Sequence, residues 1–377
     1  MDIFSLIDNY EFYLEKKLAG RYIPLAAIEP LILSLKDKFT VTKNGNSVEG
    51  LPIYKIKIGN GKMKILMWSQ MHGNESTTTK ALFDFFNLLK KDEKIVDEIL
   101  SKCELHIFPM LNPDGALAYT RINKNQIDLN RDAQNLSQPE SKILRTAFDE
   151  IKPDFCFNLH DQRTIFNVGK TAKPATISFL TPAEDEERNL TGARKKSMEL
   201  IAKMNELLQK YIPGQVGRYD DTFNINCVGD TFQSSGVPTI LFEAGHYQGD
   251  YKREKTREYI FYALIQALFT ISTTEITGQA FESYFDIPEN GKQFYDILLK
   301  KVPFISANET EFSDVGVLYK EVLENDDILF EPTFEKIQSL QYLYGHKEYA
   351  DCSLHLSPLK KSELSKKWLE GFLRIFQ

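Results

Sequence analysis

His72 and Glu75 stand three residues apart in "SQMHGNESTTTKALFDFF" (residues 69–86), directly after the apolar run "KMKILMW". An imidazole and a carboxylate at that spacing can share a metal ion, or can simply hydrogen-bond each other; His-x-x-Glu alone does not decide. Two further apolar runs end the same way, "DFCFNLH" in His160 and "VPTILFE" in Glu243. Ligands of open α/β sheets bind at the carboxyl edge of the strands, so three strand ends that each deliver an ionisable side chain describe a site. Two histidines and one carboxylate form a catalytic zinc set with a fourth position open, and His72, Glu75 and His160 fill it. Such a zinc acidifies its water and polarises a carbonyl. A carboxylate that is not a ligand must then take the water's proton, and Glu243 meets that need.

Between these pieces lies the polar segment "LNPDGALAYTRINKNQIDLNRDAQN" (residues 111–135), which follows the strand-like "CELHIFPM". Asn130 and Arg131 can hold a substrate carboxylate through a forked, charge-assisted contact, or can instead cap a helix or brace the loop. Arg121 can face a developing oxyanion, where the alternative is a surface arginine. Asp128 suits the outer nitrogen of a metal-bound histidine, where it would fix the tautomer. His106 alternates with apolar residues inside a strand, His346 and His355 lie in the C-terminal part, and nothing requires His246 as a ligand. Arg218 and Asp220 can line a pocket or belong to a turn.

The elements that must position these groups alternate. Residues 1–45 read as a helical N-terminal segment, with helices in "IFSLIDNYEFYLEKKL" and "AAIEPLILSLKD". Strands are predicted in "YKIKIGNGKMKILMW", "CELHIFPML", "DFCFNLH", "ATISFLT" and "VPTILFEAG", and helices from about Ser76, in "ESKILRTAFDEI", over residues 186–211 and in "TREYIFYALIQALFTI". This pattern argues an α/β domain, residues 1–274, whose mixed sheet is flanked by helices. Residues 275–377 read as a smaller C-terminal α+β appendage: a short helix in "ENGKQFYDILLKK", short strands with turns at Glu324 to Asp327 and at Pro332, and a closing helix in "SELSKKWLEGFLRIF".

The 377 residues carry a net charge of -7, which gives no footprint for nucleic acid. No apolar run is long enough for a bilayer, and the N-terminus lacks the pattern of a signal peptide, so no membrane partner is expected. Cys103, Cys156, Cys227 and Cys352 are far apart without a Cys-x-x-Cys pair, which points to a reducing, cytoplasmic setting.

Taken in order, "HGNE" at residues 72–75, "NPDG" at 112–115, "TRINKNQIDLNRD" at 120–132, "LH" ending in His160 and "FEAG" at 242–245 resemble the zinc carboxypeptidase superfamily, over residues 50 to 270. The resemblance implies a carboxypeptidase-like fold and one zinc ion on His72, Glu75 and His160. It implies Glu243 as general base and acid, Arg121 as oxyanion stabiliser, Asn130 and Arg131 as the carboxylate clamp, and Asp128 behind a ligand histidine. "NPDG" and "DLNRD" are similar to carboxypeptidases proper. "HGNE", the Glu-x-Gly at Glu243, the short interval between Glu75 and His160 and the appendage also resemble the aspartoacylase and succinylglutamate desuccinylase branch. The implied substrate is therefore a peptide or an N-acyl amino acid with a free carboxylate, with a non-catalytic zinc-stabilised binding module as the third reading. Tyr219 and Tyr247 are the candidates for a tyrosine against substrate.

Overall fold

The computed structural model describes residues 3–306, 309–338 and 342–374. They form two compact units, Met1–Arg163 with Val168–Asn290, and Thr164–Asn167 with Gly291–Gln377.

The first unit is built on strands β1 (Thr40–Asn46), β2 (Pro52–Ile58), β3 (Met63–Ser69), β4 (Cys103–Phe108), β5 (Phe155–Asp161), β7 (Ile177–Leu180), β8 (Val216–Arg218) and β9 (Thr239–Ala244), while the three-residue β6 (Phe166–Val168) falls at the division between units and outside this sheet. The sheet order is β1-β2-β4-β3-β5-β9-β7-β8. Its middle strands β4, β3, β5 and β9 are mutually parallel, while β2 runs antiparallel to β4 and β7 antiparallel to β9. Parallel strands covered on both faces carry apolar residues without interruption, which is why "KILMW" and "DFCFNL" show no alternation. Ile65, Met67, Phe157 and Phe242 face one core, shared with α3 (Thr77–Leu89), α4 (Lys94–Lys102), α7 (Gly192–Leu208) and α9 (Glu254–Thr273). Leu66, Trp68 and Cys156 face the other, shared with α6 (Pro139–Ile151) and α8 (Val228–Ser234). A mixed sheet between helices is the fold class expected from the alternation.

Ahead of the sheet come α1 (Ile3–Asp8) and α2 (Leu25–Ser34). The first predicted helix stops early. Beyond Asp8 only a 3-10 turn at Tyr10–Phe12 follows, and the carbonyls of Glu15 and Leu18 accept bonds from Arg257 at 3.0 and 2.5 Å, so they are not available to a helix. The acidic run 184–189 is likewise loop: Asp185 accepts from the Asn189 amide at 2.9 Å, and the helix begins at Gly192 behind an N-cap from Thr191.

The second unit contains β11 (Phe294–Ser306), β12 (Glu309–Glu324), β13 (Asp327–Gln338) and β14 (Tyr344–Tyr349), ordered β13-β12-β11-β14, with α10 (Lys366–Arg374) contributing Leu369 and Phe372 to its core. The predicted short helix around "QFYDILL" is instead the short β10 (Asn290–Lys292) and the inner strand β11. A run buried on both faces has no period that separates helix from strand. Pro332 makes no turn: it pairs with Tyr319 inside β13, an edge strand where a missing N–H is tolerated. The hairpin turns at Asn325 and Asp326, both left-handed at φ 50° and 60°. The division between units falls after Asn290 and not at 275, because Tyr284 and Ile287 sit in the core of the first unit.

One buried ion pair fastens α3 to α9. Arg257 grips Asp84 with Nε at 2.6 Å and Nη2 at 2.5 Å, and Tyr10 donates to the same carboxylate at 2.8 Å. Burial drives the Asp84 carboxyl above its ordinary range despite Arg257 beside it, so the charge is costly without its partner. Asp84→Ala should lower unfolding stability by about 3–5 kcal/mol, read as a fall in the urea midpoint; an unchanged midpoint would remove this pair from the account.

Candidate metal centre

The parallel strands carry the ligand residues to one edge. His72 and Glu75 occupy the turn after β3, His160 is the penultimate residue of β5, and Glu243 lies in β9 directly across from His160 in the ladder. The turn after β3 packs tightly on α5 (Pro113–Ala118). A Cβ on Gly73 would stand 1.9 Å from the Gly115 carbonyl carbon, and one on Gly115 would stand 2.6 Å from the Ile122 carbonyl oxygen, which explains the glycines of "HGNE" and "NPDG" in turn. Asn112 caps α5 by accepting from the Gly115 amide at 2.8 Å and donates to the Met71 carbonyl at 3.1 Å, so the two motifs brace each other.

At the centre, His72 Nδ1 lies 2.8 Å from Glu75 Oε1, and His160 Nδ1 lies 2.8 Å from Glu75 Oε2 and 3.0 Å from His72 Nδ1. One ligand atom from each of His72, Glu75 and His160 falls within 4.8 Å of the others. Asp128 Oδ1 stands 3.0 Å from His72 Nε2. An ionised carboxylate only accepts, so Asp128 favours the proton on Nε2, and a metal ion among the three groups would take the Nδ1 lone pair. His160 Nε2 is buried with no hydrogen-bond partner among the described residues. Three Lewis bases turned toward one point, two imidazoles and a carboxylate, fit a zinc ion, and the carboxylate on the outer nitrogen is the usual support of a metal-bound histidine.

The field agrees. Burial disfavours a charged His72, but Glu75 and the bond to Asp128 outweigh it and raise its pKa; burial holds His160 below the ordinary value in spite of Glu75. Burial alone would raise Glu75, yet the two histidines bring it well below its usual range. The pocket therefore favours positive charge between its ligands. Glu243 behaves oppositely: burial first, then Glu75 and Asp161, push its carboxyl well above the ordinary range, and its Oε2 is buried without a partner among the described residues. A dication nearby reverses such a shift.

Arg121 is exposed at its stem but reaches the centre. Its Nε donates to Asp128 Oδ2 at 3.0 Å, and Nη1 lies 3.1 Å from His72 Nδ1 and 3.3 Å from Glu75 Oε1. Asn130 Oδ1 accepts from the Val228 amide at the start of α8 at 3.2 Å, which leaves the NH2 of Asn130 as the donor on offer. Arg131 is exposed and donates to the Asn130 carbonyl at 3.0 Å. Of the two tyrosines, Tyr219 is the one whose phenol is raised by burial first and then by Glu243 and Glu75. Tyr247 packs on Tyr259 with ring centroids 5.9 Å apart.

The remaining polar residues have other partners. His106 meets Glu104 at 2.8 Å, His346 meets the Thr164 carbonyl at 2.8 Å, and the His246 ring packs 4.7 Å from that of Tyr251. Arg218 holds the Ile287 carbonyl at 2.8 Å and Glu289 at 3.0 Å, and Asp220 caps Thr222. Sequence reasoning missed Asp161, whose amide donates to Glu75 Oε2 at 3.0 Å while its carboxylate accepts from the Thr77 amide at 3.1 Å. Its position beside His160 was the available signal. It also missed Arg253, which ties the ends of β5 and β9 through the carbonyls of Gln162, at 2.7 Å, and Ala244.

The sequence profile of the zinc carboxypeptidase family matches residues 26–227. Carboxypeptidase SOL1 of Arabidopsis thaliana is 30% identical over 142 residues, covering 33% of this chain and 29% of that protein. Carboxypeptidase 2 of Trichophyton rubrum is 24% identical over 190 residues, covering 49% and 33%. The chain thus spans about a third of the length of these curated relatives. Among solved structures, the carboxypeptidase A of Helicoverpa armigera superposes with a TM-score of 0.53 at 14% identity, covering 72% of this chain and 80% of that one. A metallo-carboxypeptidase from Burkholderia cenocepacia gives 0.52 at 17% identity, covering 65% and 67%. These likenesses are of fold.

His72→Ala and His160→Ala should each lose stoichiometric zinc on dialysis, and Asp128→Asn should weaken zinc by roughly 10–100-fold. Metal analysis and chelator competition read both; a full equivalent retained by either alanine variant would discard the ligand set.

Proposed function

The chain belongs to the zinc carboxypeptidase family, and from that premise we propose that it is a metallocarboxypeptidase-like hydrolase, cleaving the amide bond next to a free C-terminal carboxylate. The observation that carries this reading is the convergence of His72, Glu75 and His160 beside a Glu243 carboxylate whose Oε2 is buried and unpartnered among the described residues. A binding module has no use for such a base.

One zinc ion on His72, Glu75 and His160 would supply Lewis acidity toward the scissile carbonyl and a water acidic enough to lose its proton. Glu243 accepts that proton and returns it to the departing amine, as a general base and then a general acid. Arg121, aimed by Asp128, faces the carbonyl oxygen as it gains charge. The guanidinium of Arg131 and the NH2 of Asn130 hold the substrate carboxylate. The Tyr219 phenol, raised and therefore protonated, serves as a further donor to substrate.

Glu243→Gln should reduce kcat by roughly 10²–10⁴-fold while zinc stays bound; an undiminished rate removes Glu243 as the base. Arg131→Ala should cost roughly 10–100-fold in kcat/KM and abolish the preference for a free carboxylate over a C-terminal amide. Mass spectrometry of a mixed set of peptides and N-acyl amino acids separates the two substrate classes. Stepwise loss of C-terminal residues is the expected result, and loss of acyl groups alone would move the activity to the deacylase branch.

A further inference from the structure

Residues 18–23, ahead of the stretch matched by the family profile, run as an irregular segment whose backbone is held by side chains of the first unit. Arg257 Nη1 donates to the Leu18 carbonyl at 2.5 Å, and Glu254 Oε1 accepts from the Gly20 amide at 2.9 Å. Ser76 Oγ donates to the Arg21 carbonyl at 2.5 Å, and Gln70 Nε2 donates to the Ile23 carbonyl at 2.9 Å. The last two donors bracket the ligand motif, two residues before His72 and one after Glu75.

Gln70 does more than hold the segment. Its Nε2 also donates to the Gly73 carbonyl at 2.8 Å, inside the motif, while its Oε1 accepts from Thr79 at 2.9 Å. Its backbone is left-handed at φ 49°, a conformation that only surrounding bonds sustain for such a residue. Ser76 is the N-cap residue of α3 yet makes no capping bond, and its hydroxyl donates to the Arg21 carbonyl instead. The capping acceptor is instead Asp161, which takes the Thr77 amide and hydroxyl.

We infer that residues 18–23 are a strap that fixes the ligand loop, with Gln70 and Ser76 as its positioning residues: both side chains clamp the loop carrying His72 and Glu75 to backbone carbonyls of the strap. The inference rests on the zinc reading of the site. It predicts that the geometry of the first two ligands depends on a segment outside the family-matched region, and that loosening the clamp weakens metal binding without touching a ligand.

The test uses the full chain and zinc itself. Zinc dissociation constants are measured by chelator competition for the parent, Gln70→Met and Ser76→Ala, beside urea midpoints of the metal-free proteins. The expected result is one tightly bound equivalent in the parent and roughly 10–100-fold weaker binding in each variant, the usual cost of removing support behind a ligand. Unchanged zinc constants in the folded variants, even with lowered urea midpoints, would overturn the strap as a positioning element and leave it a structural one. Ser76→Ala removes a single hydroxyl and decides the matter if Gln70→Met does not fold. A parent that binds no zinc would overturn the reading of the site, and the strap inference with it.

Discussion

Two imidazole nitrogens and a carboxylate lie within 4.8 Å of one another on two separate stretches of chain, and the rest of the site depends on that proximity. Asp128 draws the His72 proton outward, and positive charge between the three groups, a metal ion above all, lets each of them turn a lone pair inward. Much of the first unit serves to hold this arrangement. Four parallel strands bring the ligand-bearing ends to one edge, Asp161 joins β5 to Glu75 and to the start of α3, and Arg253 joins the end of β5 to that of β9. Catalytic power in such a site depends on groups whose positions are fixed before substrate arrives.

The same rigidity extends to the loop that would meet substrate. Asn123 folds residues 123–127 onto itself by accepting from the amides of Asn125 and Ile127, both at 3.1 Å, and donates to Gln138 at 2.9 Å. Asp132 receives the amides of Ser137 and Gln138, both at 3.0 Å. Between these anchors Asp128 uses one carboxylate for His72, Arg121 and the Asn130 amide together. Arg121, Asp128 and Asn130 are therefore mechanically one piece, and a change in any of them should be felt by the others.

The convergence of His72, Glu75, His160 and Glu243 was legible in the sequence because each sits where a local pattern ends: His160 and Glu243 close apolar runs, and His72 and Glu75 mark the passage from strand to helix. The central mixed sheet was legible for the same reason. What failed was whatever tertiary bonds decide. The segment after Asp8 has helical composition, but Arg257 and Asp84, far away in the chain, take its polar groups. The strand β11 reads as a helix because burial on both faces erases its alternation. Asn130 and Arg131 were legible as a pair, but not that the Val228 amide would orient the Asn130 side chain.

The most direct test of the central claim is X-ray absorption at the zinc edge on the loaded protein. The account predicts a first shell of nitrogen and oxygen only, at about 2.0–2.2 Å, with the outer-shell scattering of two imidazoles. A sulfur shell at about 2.3 Å, or a spectrum with no histidine contribution, would contradict it.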